Sequence, residues 1–216
     1  MLNLFVNGIS GKMGSSIINL VSNIENVSIT DSIIDCDVVV DFSRPESSMN
    51  IIKKCIENKK PIVIGTTGFN DEQLQIIKEA SQDIPVLLSY NMSKGIFFLK
   101  ESIKDFLHKN QHNFECVIHE VHHTEKVDSP SGTAIELEKT IQNNDINKII
   151  SSICIESKRV FGVNGIHEVR FFNNNDSIVF KHEALSRNIF SEGALAIAKS
   201  IIKKEPNLYS VKDFFN

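Results

Sequence analysis

The sequence lacks the marks of several protein classes. It has four cysteines, Cys36, Cys55, Cys116 and Cys154, and no pair stands at metal-ligand or redox spacing, so reduced thiols in a cytoplasmic protein are expected. No apolar run approaches the roughly 18–20 residues of a membrane helix. The opening Met1-Leu2-Asn3-Leu4-Phe5-Val6-Asn7-Gly8 lacks the basic segment and long apolar stretch of a secretory signal. Positive charge is not in excess: 23 Lys and Arg stand against 27 Asp and Glu, a net of −4, which argues against a nucleic-acid partner. Internal repeats and low-complexity segments are missing too. What remains is ordinary: 216 residues, 41% hydrophobic and 23% charged, enough for one large or two small domains with a real core.

Hydrophobic spacing organises the first half as alternating strands and helices. Residues 2–6 read as a strand ending at Asn7-Gly8. Ile17, Ile18, Val21 and Ile24 then share one face of a helix over 14–24. Val38-Val39-Val40 and Ile62-Val63-Ile64 are β-branched runs too short for helices and read as strands buried on both faces. Helices over 47–58 and 72–80 intervene, the second capped by Asn70 or Asp71, and residues 86–88 form another strand. This alternation predicts right-handed βαβ units and a parallel sheet. Near residue 93 the pattern changes. A helix over 94–109, a strand over 114–121, a helix over 133–141 and strands over 152–160, 166–172 and 177–184 predict an α+β segment with a mostly antiparallel sheet. A last helix over 192–203 returns to the first domain.

Gly8-Ile9-Ser10-Gly11-Lys12-Met13-Gly14 follows a strand and opens a helix. Glycines there permit a tight turn and close backbone approach, so a pyrophosphate can sit on free N–H groups at a helix start. The same context also describes a plain strand-to-helix turn. A dinucleotide fold carries an acidic residue after its second strand, to hold the adenosine ribose. Residues 27–30 are the only candidate strand before Val38, and the seven residues 31–37 are too few for a parallel crossover. Either this strand is not a direct neighbour of the next, or a strand is missing. Asp31 reads better as the cap of a short helical turn over 32–35 than as a ribose ligand.

The densest chemistry lies at Glu120-Val121-His122-His123-Thr124-Glu125-Lys126-Val127-Asp128-Ser129-Pro130-Ser131-Gly132-Thr133-Ala134. Adjacent strand residues point to opposite faces, so His122 and His123 are poorly placed for one metal ion, and no metal is expected. Singly, each histidine reads as structural and Lys126 as a solvated surface residue. Together they differ. Ser131-Gly132-Thr133 begins a helix, where a hydroxyl, N–H groups and the positive dipole end make a carboxylate cradle. A histidine titrates near neutrality. The set suits protonation and binding of a small anion.

At this point the motifs resemble the dihydrodipicolinate reductase family. The resemblance rests on Gly8 to Gly14, Val40-Asp41-Phe42-Ser43-Arg44-Pro45, Val63-Ile64-Gly65-Thr66-Thr67-Gly68-Phe69 and the H-H-x-x-K-x-D-x-P-S-G-T-A pattern from His122 to Ala134. Lesser matches are Asn91-Met92-Ser93-Lys94-Gly95, Gly165-Ile166-His167-Glu168-Val169 and Ser186-Arg187-Asn188-Ile189-Phe190. It implies a Rossmann-like parallel-sheet dinucleotide-binding domain, residues 1–92 with 188–216. It also implies an inserted α+β domain with a mixed sheet, residues 93–187, for substrate binding and tetramerisation. The implied reaction is NADH- or NADPH-dependent reduction of a cyclic imino dicarboxylate with loss of water, in the diaminopimelate and lysine pathway. Carried over by position, His122 is the acid/base and Lys126 the second catalytic residue. His123, Ser131, Gly132 and Thr133 hold substrate carboxylate. Gly8, Ile9, Ser10, Gly11, Lys12 and Met13 hold pyrophosphate. Phe42, Gly65, Thr66, Thr67, Ser89, Tyr90, Asn91 and Met92 line the rest of the cofactor, with Phe69 and Arg187 as weaker contacts. On its own, Gly65-Thr66-Thr67-Gly68 reads equally as a turn or a site. The chain is shorter than typical members between Gly14 and Asp41, where the family places its second strand and the residues that choose NAD or NADP. A second shortening lies between Thr140 and Gly165.

Overall fold

The computed structural model describes residues 1–215. It divides into two compact units, Met1–Lys94 with the segment from Arg187 onward, and Gly95–Ser186. The first unit opens with β1 (Leu2–Asn7), α1 (Lys12–Val21), β2 (Val27–Thr30), β3 (Val38–Asp41), α2 (Pro45–Glu57), β4 (Ile62–Ile64), α3 (Asp71–Ala80) and β5 (Pro85–Leu88). Helix α4 (Lys94–Lys109) leads into the second unit, which continues with β6 (Phe114–His122), α5 (Gly132–Asn144), β7 (Ile150–Arg159), β8 (Ile166–Phe172) and β9 (Ser177–Glu183). The chain then returns through α6 (Asn188–Ile201) and β10 (Asn207–Tyr209).

The first unit is the expected Rossmann-like layer structure. Its six strands are parallel in the order β10-β5-β4-β3-β1-β2. Val38 to Val40 and Ile62 to Ile64 are buried throughout, as strands covered on both faces must be. Val39, Ile62, Ile64 and Val86 pack with Ile51, Ile52 and Cys55 of α2 and Ile77 of α3. Alternate residues point the other way, where α6 packs on β3, β4 and β5 and against α1. Asn70 caps α3 through a reciprocal box with Gln73; Asp71 is the first helical residue rather than the cap.

Strand β2 decides between the two readings of the shortened segment: it is not a direct neighbour of β3. It pairs with β1, in parallel, while β3 pairs with the opposite edge of β1. The link over 31–37 therefore joins strands two places apart. Thr30 lies level with Phe5 and Val38 level with Leu4, so the link steps back about one residue while crossing two spacings of about 4.8 Å. Seven residues suffice for that, and no helix is needed. The turn that follows is held by Thr30, whose Oγ1 accepts from Ser32 N–H, and by Ser32, whose Oγ accepts from Asp35 N–H. Asp31 does not cap it.

The second unit has a four-stranded mixed sheet, β7-β6-β8-β9. The β6–β7 pair is parallel and the other two are antiparallel, because α5 serves as the crossover between β6 and β7. One face packs on α4 and α5, with Ile103, Leu107, Leu137 and Ile141 against Ile118, Val169 and Phe171. Phe106 stacks on Phe171 at 4.7 Å. Among the described residues, no helix is long and apolar enough to cross a membrane.

Candidate active site

Alternation along β6 buries Phe114, Cys116, Ile118, Glu120 and His122 on the helix-covered face. The first three enter the apolar core. The last two are polar because that end of the sheet is met by the first turn of α5, which offers N–H groups and not methyls. Ser131 is the N-cap of α5, and its Oγ accepts from Ala134 N–H at 3.2 Å. Its own N–H donates to Glu120 Oε1 at 3.3 Å.

Glu120 is fully buried. Its Oε1 also accepts from the Arg159 guanidinium at 3.0 Å, and its Oε2 lies against His122 Nδ1. Pairing of β6 with β8 brings His167 opposite Glu120. His167 Nε2 is 3.2 Å from Ser131 Oγ, and its ring meets His122 edge-on with centroids 4.9 Å apart. Gly165 flanks the other ring nitrogen: a Cβ there would sit 3.2 Å from His122 Nε2. Glycine thus leaves that nitrogen room to work while Nδ1 is held by the carboxylate. Glu120, His122 and His167 bring one carboxylate oxygen and two ring nitrogens within 4.8 Å of one another, a grouping that spacing around His122 and His123 did not reveal. Arg159 supplies the counter-charge to Glu120 within it.

Burial governs the charges. It pushes the Glu120 carboxyl up, but hydrogen bonds from Ser157 and Arg159 and the nearby charges outweigh it and leave the group below its usual range. Burial, opposed by Glu120 and helped by Lys126, holds His122 below the ordinary imidazole value. Burial and the neighbouring His122 take His167 down to about 3. A depressed histidine favours the folded state only while neutral: below about pH 6.5 the unfolded chain takes up protons that the fold refuses. Stability is therefore complete above about pH 6.5 and lost as pH falls toward 3. His167 alone is expected to cost about 2 kcal/mol at pH 5. Urea denaturation at pH 7.5 and pH 5.0 checks this, and His167→Gln should flatten the difference; equal midpoints at both pH values in the native chain would refute it.

The loop after β6 carries the remaining residues expected on the substrate side. Lys126 Nζ pairs with Asp128 at 2.8 Å. Arg159 anchors this loop as well, donating to the carbonyls of Asp128 at 2.6 Å and Lys126 at 3.4 Å. His123 is half-buried, Gly132 is exposed and Thr133 is half-buried in the first turn of α5. The cradle is less bare than the sequence implied: Ala134 N–H goes to Ser131 Oγ, and Gly132 N–H bonds Asp128. Sequence reasoning gave no role to Glu120, Arg159 or His167. Alternation from His122 was a signal for Glu120; only strand pairing finds the other two.

Among the residues expected to hold the nucleotide, Gly8 adopts φ +87°, and a Cβ there would overlap the Phe42 carbonyl. Gly14 packs directly on the backbone of Gly8 and Ile9. Gly11 N–H bonds Gly8 O at 3.0 Å, and Gly11 caps α1 with no side-chain hydrogen bond. The turn fits a pyrophosphate: its helix start carries no capping side chain, and Gly8 and Gly14 let the backbone fold tightly against Phe42 and against itself. Ile9, Ser10 and Lys12 are exposed around it, and Met13 is half-buried. Phe42 lies across Gly65, where a Cβ would collide with its ring.

Two expected cofactor contacts have side chains committed elsewhere. Thr66 is buried; its hydroxyl donates to Asp41 Oδ2 at 3.2 Å and accepts from Ser43 N–H at 2.9 Å. Met92 is 2% exposed, and Gly193 of α6 packs on its backbone carbonyl. Both follow strand ends, where sequence proximity predicts a site but the next turn rotates the side chain inward. Thr67 and Tyr90 are exposed, Asn91 is half-buried, and Ser89 Oγ donates to Asn91 O at 2.8 Å. Phe69 packs on the α2–α3 core, and Arg187 precedes α6 with helical backbone angles and no side-chain capping bond.

The family models for the N-terminus and C-terminus of dihydrodipicolinate reductase match residues 28–92 and 95–215. The chain belongs to the dihydrodipicolinate reductase family. Among relatives named 4-hydroxy-tetrahydrodipicolinate reductase, one from Bdellovibrio bacteriovorus is 38% identical over 177 residues, covering 82% of this chain and 75% of that protein. One from Clostridium tetani is 35% identical over 249 aligned positions, covering 100% and 98%. A dipicolinate-bound dihydrodipicolinate reductase from a Paenisporosarcina species shares the fold, with a TM-score of 0.79, 20% identity and 97% of each chain covered. Family membership makes this chain an NAD(P)H-dependent oxidoreductase.

Proposed function

We propose that the chain reduces 4-hydroxy-tetrahydrodipicolinate to tetrahydrodipicolinate with loss of water, in lysine and diaminopimelate biosynthesis. The observation that carries this reading is the placement of the Glu120–His122 pair beside the Ser131 cap of α5 in a chain of this family. A bound reduced nicotinamide supplies the hydride. The chain supplies the proton and the anion site. Glu120 holds His122 Nδ1, so Nε2, beside Gly165, is the nitrogen that works. His122 is neutral before substrate arrives. A substrate with two carboxylates raises its proton affinity, so it takes up a proton on binding and gives it to the ring carbon. Lys126 assists from the loop once drawn from Asp128. Ser131, Gly132, Thr133 and His123 receive a carboxylate at the start of α5, where the dipole favours it.

The residues 93–187 serve substrate binding and assembly. The sheet face turned away from α4 and α5 would join subunits into a homotetramer in the cytoplasm. Residues 1–92 with 188–216 bind the dinucleotide. The turn from Gly8 to Met13 holds pyrophosphate; Phe42, Gly65, Thr67, Ser89, Tyr90 and Asn91 border the rest. Thr66 and Met92 act there through backbone and packing. The test is oxidation of NADH and of NADPH with freshly prepared substrate. Turnover dependent on substrate is expected. Nucleotide binding without turnover would favour a nucleotide-sensing protein that has lost the reaction.

A further inference from the structure

We infer that Asp31 is the ribose-binding and nucleotide-selecting residue of this chain, and that it makes the protein prefer NADH to NADPH. The inference rests on the family's use of a pyridine nucleotide and goes beyond it, because membership leaves the choice between the two open. The evidence is topological. In a dinucleotide fold the residue that meets the adenosine ribose follows the strand beside β1, on the side away from β3. Here that strand is β2, paired in register with Leu2 to Phe5, and Asp31 is the residue directly after it.

The surroundings agree. An open cleft of about 520 Å³ is lined by Phe5, Val6, Ile9, Ile29, Thr30 and Asp31. It joins the ends of β1 and β2 to Ile9 of the glycine turn, so a nucleotide whose pyrophosphate lies on that turn has its adenosine end over this cleft. The apolar walls suit a base and sugar; Asp31 is the charged group among the lining residues. Asp31 is exposed, and among the described residues its carboxylate enters no hydrogen bond or ion pair. It is free to accept from both ribose hydroxyls. Residues 27–37 contain Asp31, Asp35 and Asp37 and no Lys or Arg. A 2′-phosphate placed here meets a carboxylate and finds no cation on the β2 segment. Arg44 follows β3, across β1 from this edge.

Dissociation constants of NADH and NADPH, measured by fluorescence titration of the full-length protein without substrate, decide the matter. The native chain is expected to bind NADH at least about tenfold more tightly than NADPH. Asp31→Asn and Asp31→Ala should weaken NADH and strengthen NADPH, reducing that ratio by about tenfold or more. Because Asp31 is exposed and Thr30 and Ser32 hold the turn, both variants should keep the native thermal midpoint. A native preference for NADPH, or a ratio unmoved by either substitution, overturns the assignment of Asp31 and leaves the family reading intact. Binding of neither nucleotide would overturn both.

Discussion

His122→Ala is expected to lower kcat by about 10²- to 10⁴-fold, the range for loss of a positioned proton donor. Affinity for the nucleotide should not change, because the glycine turn proposed to hold it belongs to the other unit. The neighbours set the size of the effect. His122 Nδ1 is engaged by Glu120, Gly165 leaves room beside Nε2, and burial holds the ring's proton affinity below the ordinary imidazole value. The native kcat should fall on the alkaline side, where the enzyme–substrate complex loses its proton, and that limb should vanish in His122→Ala. Glu120→Gln should retain more activity than His122→Ala and shift the limb to lower pH, since the carboxylate raises the proton affinity of His122. Steady-state kinetics across pH read both outcomes. A His122→Ala rate within a few-fold of native would remove the imidazole from the reaction.

Asp41→Ala is expected to destabilise the first unit by about 3 kcal/mol or more. Asp41 is wholly buried at the end of β3. It accepts from Asn7 at 2.8 Å, from Ser43 at 2.6 Å, from Thr66 at 3.2 Å and from the Ser48 hydroxyl. These donors come from the end of β1, the turn after β3, the turn after β4 and helix α2. One carboxylate therefore ties together the carboxyl edge of three strands, beside the turn proposed to take the nucleotide. Alanine removes the acceptor and leaves buried donors unpaired, which costs more than the bonds themselves. Asp41→Asn should recover part of the loss, since hydroxyls can rotate to meet an amide. Urea denaturation gives the stability, and nucleotide titration should show weaker binding in the same order. A change below about 0.5 kcal/mol would mean the network is not structural.

Much of the fold was legible because local physics dictates it. Val38-Val39-Val40 and Ile62-Val63-Ile64 have no amphipathic alternative, and helix α4 runs over the range its periodicity indicated. Strand β10 was missed. Its three residues, Asn207 to Tyr209, are too few to show a period, and they become a strand because β5 offers an open edge. The mixed, mostly antiparallel character of the second sheet was expected, but not which pair is parallel: alternation gives a strand its faces but not its direction.

The site was legible in part. The His-His-x-x-Lys and Ser-Gly-Thr pattern named the residues of one loop and one helix start, which are contiguous. Arg159 and His167 reach Glu120 only through pairing across the sheet. The shortened segment turned the same way. Its length ruled out a crossover between adjacent strands, but only the register places β2 beside β1 and Asp31 at that edge.

The order of residues by itself determined which stretches other than β10 are strands, where the backbone must be glycine, and which loop bears the imidazole. Tertiary structure alone decided which strands neighbour one another, and hence which distant carboxylates and cations meet. Alternation and turn chemistry act over a few residues, whereas strand pairing is settled by burying whole faces of a sheet together.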